Sequence, residues 1–69
     1  MEIEYEVILM YCVDGTRTIV LSKLTVMGID YWGVINQITG KTFDAFSLEQ
    51  GLDVFLTCCD KVIEKKEIQ

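Results

Sequence analysis

The side chains with the most evident chemistry are three cysteines, Cys12, Cys58 and Cys59, and a series of spaced carboxylates; the chain has no histidine. Without an imidazole, neither a Ser/His/Asp triad nor a Cys/His pair can be built within one copy. A zinc site would need all three cysteines plus a carboxylate, and no CxxC spacing supports that set. Cys58 and Cys59 are adjacent, a poor geometry for a mutual disulfide, and an odd number leaves one thiol over. Both also fall in the second half of an expected C-terminal helix, where the dipole disfavours a thiolate. Cys12 lies among strand hydrophobes. All three are therefore read as structural thiols, behaving as small buried hydrophobes. A redox or metal-responsive module built on them is the weakest reading.

Thr39-Gly40-Lys41-Thr42 superficially matches the end of a phosphate-binding loop, but the required upstream glycine is missing, since position 35 is Ile. Strand-like residues follow where that loop needs a helix. No catalytic, cofactor-binding or metal-ligating residue is assigned, and no cofactor is expected. The chain is expected not to be an enzyme.

The carboxylates suggest recognition. Glu2, Glu4 and Glu6 alternate, so on a strand they would share one side. That arrangement is either an acidic ladder for a basic partner or a guard against stray edge pairing. Eleven acidic against six basic residues give a net charge of -5. This argues against direct nucleic acid binding, where Lys and Arg must replace counterions. It fits a protein partner with a basic surface, or simple solubility. Mimicry of nucleic acid by Asp30, Asp44, Glu49, Asp53 and Asp60 ranks lower, because the net charge is modest. No signal peptide or membrane-spanning run is visible, and unpaired thiols suit a reducing compartment, so a cytoplasmic location is expected.

The elements that must position these residues begin with a hairpin. Residues 4–13 and 16–26 are apolar runs joined by Asp14-Gly15, a pair that favours a type I′ turn. That turn would set Tyr11 opposite Thr18, Leu9 opposite Val20 and Glu6 opposite Lys23, the last an ion pair worth roughly a few tenths of a kcal/mol. One face then carries Tyr5, Val7, Leu9, Tyr11, Val20 and Leu24; the other carries Ile8, Met10, Ile19 and Leu21. Both faces are apolar, against the alternation of a half-exposed sheet.

Met27-Gly28-Ile29-Asp30 reads as a turn with Gly28 bulged or at positive φ. Residues 31–38 mix helical spacing with β-branched and aromatic content, and Gly33 lies inside them. Strand, loop and return strand is the reading taken; as a helix, the segment would leave three strands. Ser47 and Gln50 form a capping box opening a helix over about 48–66. Its stripe is Leu48, Leu52, Phe55, Cys59, Val62 and Ile63, widened by Leu56, with Val54 and Cys58 beyond it. Gly51 within it suggests close approach to the sheet.

The expectation is one α+β domain over residues 1–69, comprising a hairpin at 2–26, a second strand pair at about 31–46 and the helix. Its sheet would be a four-stranded antiparallel meander with the helix packed on one face. A chain this short buries only about 60% of its unfolded surface, so oligomerisation or a permanent partner is expected, and a homodimer in particular. The functional expectation is a non-enzymatic inhibitor or adaptor, of the kind encoded by viruses or mobile elements, that occludes a site on a larger protein. Its partner-binding residues would be Glu2, Glu4, Glu6, Ile8, Met10, Ile19, Leu21 and Tyr31. The alternative is a structural homo-oligomer that scaffolds, or sequesters a small ligand between protomers.

Overall fold

The computed structural model describes the backbone of residues 3–68 and the side chains of residues 3–61. Four strands, β1 (Tyr5–Asp14), β2 (Arg17–Val26), β3 (Ile29–Asn36) and β4 (Lys41–Ala45), precede one helix, α1 (Leu48–Ile68). The strands form an antiparallel meander in the order β1-β2-β3-β4. The helix packs on one face of it, against β2, β3 and β4.

Turn chemistry sets the registers, and it differs from the expected pattern. Asp14 pairs with Arg17, so the first turn is Gly15-Thr16. Gly15 takes φ 65° and Thr16 is not at positive φ, the sign pattern of a type II′ turn, which places glycine first. The register therefore moves: Tyr11 faces Val20, Ile8 faces Ser22, and Glu6 faces Leu24 instead of Lys23. Lys23 reaches Asp30 instead, at 3.5 Å. A bulge between Ile8 and Met10 inserts Leu9 into β1 without a partner. Because side chains alternate with period two, one extra residue swaps the faces of everything before it. Ile8 thus joins Tyr11, Val20 and Leu24, while Tyr5 and Val7 join Met10, Ile19 and Leu21.

The second turn is Met27-Gly28, with both residues at positive φ, 52° and 75°, the signs of a type I′ turn. It brings Ile29 into β3 opposite Val26, so the strand opens earlier than expected. In the third connection, Asn36 Oδ1 accepts from the N–H groups of Ile38 and Thr39 at 3.0 and 3.3 Å. The N–H of Gly40 donates to the Asn36 carbonyl at 2.9 Å. These bonds close a four-residue hairpin loop over 37–40, and Lys41-Thr42 is the start of β4.

Ser47 Oγ accepts the Gln50 N–H at 3.2 Å, capping α1 as expected. The buried helix face is turned from the expected stripe. Phe55 and Cys59 are buried, Leu52, Val54 and Cys58 pack beside them, and Leu48 and Leu56 are exposed. Val62 and Ile63 have side chains outside the described residues. Gly51 explains the rotation. A Cβ built there would stand 3.1 Å from Trp32 Cβ and 3.3 Å from a Leu21 methyl, so the helix backbone rests directly on the sheet. Around this contact Ile19, Leu21, Val34, Phe55 and Cys59 form the core.

Two substitutions test these positions by urea denaturation. Met27→Asn relieves an αL conformation that costs a bulky residue ~1 kcal/mol and should raise stability by about 0.5–1 kcal/mol. An unchanged midpoint would show that Met27 carries no such cost. Gly51→Leu forces atoms into Trp32 and should lower stability by about 1–3 kcal/mol. A neutral result would show that the helix lifts freely.

Candidate functional site

One helix covers one face, so the opposite face of the sheet is open. Strand pairing defines it row by row. Glu6, Leu24 and Tyr31 form one row; Ile8, Ser22, Gly33 and Asp44 the next; Tyr11, Val20, Ile35 and Thr42 the third. Ile8 and Tyr11 are 61% and 69% exposed, and Ile35 is 40% exposed. Val20 and Tyr31 are half-buried. A soluble sheet normally presents alternating polar residues on its wet side, and this one presents large apolar side chains.

The centre of the face is small by construction. A Cβ at Gly33 would come within 2.9 Å of a Leu24 methyl, so the missing side chain gives Leu24 room to lie across the sheet. Leu24 and Ser22 are consequently buried although no second layer covers them. Ser22 Oγ has no hydrogen-bond partner among the described residues. The result is a shallow centre flanked by Ile8, Tyr11, Ile35 and Tyr31, with Glu6 at the β1 end of the first row and Asp44 at the β4 end of the second. Apolar body, aromatic flanks and an acidic rim are the elements of a protein-binding patch.

The expected partner residues divide across the sheet. Glu6, Ile8 and Tyr31 come together on the open face. Ile19 and Leu21 are fully buried beneath α1, which corrects their assignment to a partner surface. Met10 lies on their side of the sheet, at β1, and stays partly exposed. Glu4 precedes β1 in a bend, with its N–H donating to the Thr25 carbonyl at 2.8 Å. The expected three-carboxylate ladder is therefore not a strand feature at Glu4, and Glu2 lies outside the described residues. Tyr11 and Ile35 were missed. Their signal was in the sequence, as alternate apolar residues, but only the helix position tells which alternate set stays bare.

Chemistry on the helix side is muted. Asp30 accepts from Thr25 Oγ1 at 2.7 Å. That hydrogen bond first, then Lys23, lowers its carboxyl below the usual range. Burial pushes the Cys59 thiol up to about 12, and the neighbouring thiols Cys12 and Cys58 add to the shift. Such a thiol stays protonated and unreactive at neutral pH. A hollow of about 430 Å³ lies between α1 and the β3–β4 end, with Val34, Ile38, Phe43 and Val54 as apolar lining and Lys41 and Lys61 among its charged residues. Among the described residues, no group of three or more His, Cys, Asp or Glu could hold a metal ion, and no helix is long and apolar enough to cross a membrane. Comparison with known protein families, with curated proteins and with solved structures finds no match.

Alkylation checks the thiol assignment. With iodoacetamide at pH 8, Cys59 should label slowest of the three cysteines in the folded protein, at least tenfold slower than in denaturant, as read by mass spectrometry. Preferential labelling of Cys59 would contradict its buried, protonated state.

Proposed function

We propose that this chain is a non-enzymatic protein-interaction module, an inhibitor or adaptor that blocks a site on a larger protein. It docks through the sheet face opposite the helix. The observation that carries this reading is the exposure of Ile8, Tyr11 and Ile35 on a face with no second layer. Leaving such area in water is unfavourable by about 25 cal/mol per Å², and a partner with a complementary apolar surface recovers it. Tyr11 and Tyr31 serve as aromatic anchors, which bury large area at low entropy cost.

Glu6 and Asp44 favour a partner whose apolar patch has a basic rim, since complementary charge steers encounter and excludes acidic competitors. Binding of this kind needs no cofactor and no bond making. The free thiols of Cys12, Cys58 and Cys59 suit a reducing, cytoplasmic setting.

Site-specific photo-crosslinking in producing cells tests the proposal. A photoreactive residue at Ile35, on the open face, should give a discrete adduct with another protein species. The same group at Asp53, on the exposed side of α1, should not. Tyr11→Glu should reduce the Ile35 adduct at least tenfold without changing the circular dichroism spectrum. Adducts from Asp53 alone, or none from Ile35, would overturn the reading.

A further inference from the structure

The two edges of the sheet are unlike. β4 is five residues long and carries Lys41 and Asp44, the short charged form that resists stray pairing. β1 is ten residues long, and seven of its apolar side chains are more than 40% exposed. α1 packs on the other three strands and meets β1 only weakly, around Cys12. β1 therefore has one strand neighbour, and both of its side-chain faces are largely bare.

The direction of its backbone groups follows from the ladder. Gln37 N–H donates to the Thr18 carbonyl at 3.0 Å, so Thr18 turns its backbone toward β3. Ladder groups alternate along a strand, so Ile19, Leu21 and Lys23 turn theirs toward β1. Their partners Cys12, Met10 and Val7 are thus bonded inward. Glu6, Ile8 and Tyr11 are left with N–H and C=O directed away from β2. The Leu9 bulge is the reason that Ile8 and Tyr11, three residues apart, point the same way.

We infer that a second copy of this chain occupies this edge. β1 of one copy pairs antiparallel with β1 of the other about a two-fold axis between Leu9 and Met10. The two sheets become one eight-stranded sheet with both helices on the same side. The register is self-complementary, as a two-fold joint requires. Ile8 of each copy faces Tyr11 of the other, both residues present outward backbone groups, and both side chains lie on the open face. An antiparallel joint keeps the Glu4–Glu6 ends of the two copies apart and sets each beside the paired Asp14 and Arg17 of the other copy, whereas a parallel joint would stack the glutamates.

The inference rests on the reading of the bare sheet as an interaction surface and adds to it. Joining the edges makes the two open faces one continuous platform for the larger partner.

Sedimentation equilibrium of the full chain from 1 µM to 1 mM tests this, with Tyr11→Pro and Ile35→Glu as variants. The wild type should be a dimer at tens of micromolar. Proline at Tyr11 removes an outward N–H without breaking the β1–β2 ladder and should weaken the dimer at least tenfold. Ile35→Glu, away from the edge, should leave the dimer intact. Hydrogen exchange gives a second readout should Tyr11→Pro not fold: the Ile8 and Tyr11 amides should become protected as wild-type concentration rises. A wild type that stays monomeric, a dimer lost with Ile35→Glu, or edge amides exchanging freely in the dimer would each overturn the inference. A monomer that still gave the Ile35 adduct would remove the second copy and leave the larger partner in place. An edge-paired dimer without that adduct would do the reverse.

Discussion

Gly51 lets the backbone of α1 settle onto Trp32, Leu21 and Ala45, and this contact governs the rest of the molecule. With one helix available, only one side of the sheet can be dried, and close approach at Gly51 decides which. Ile19, Leu21 and Val34 become the core, joined by Phe55 and Cys59 one and two turns further along the helix. On the other side of the sheet, Ile8, Tyr11 and Ile35 are left to water or to another molecule. A chain of this size has too little volume to cover both faces, so the exposure follows from stoichiometry.

The registers then determine what the bare surface looks like. The Leu9 bulge moves Ile8 to the same side as Tyr11 and carries Val7 to the helix side. Had β1 been regular, Ile8 would have lain with Ile19 and Leu21, at the margin of the core. The bulge also turns two outward-pointing residues into neighbours related by symmetry. Gly33 contributes by absence, giving Leu24 room to lie flat and shield Ser22, so the face is shallow at its centre and aromatic at its flanks. Local backbone features of one or two residues thus set both the patch and the edge.

The thiols illustrate how packing removes chemistry. Cys59 lies in the core beside Cys12 and Cys58, and burial holds it protonated, so a chain with three cysteines presents little nucleophilic character there. Recognition is the chemistry left to the surface. Its polar part is the acidic rim and its apolar part the open face, and both are carried on the sheet.

Much of this was written in the chain itself. Periodicity, the Ser47–Gln50 cap and the β-branched runs specify four antiparallel strands followed by a helix, because those signals act over a few residues. The apolar character of both hairpin faces also shows directly that a single helix must leave one of them bare. The choice of face, the burial of Ile19 and Leu21, and the entry of Tyr11 and Ile35 into the candidate site belong to the tertiary structure. Each depends on a one-residue register shift or on the rotation of α1 about Gly51. A shift of one residue reverses every side chain on a strand while leaving the local pattern unchanged. Local sequence therefore determined the elements, and long-range packing of α1 against β2, β3 and β4 decided which of their residues remained available to bind.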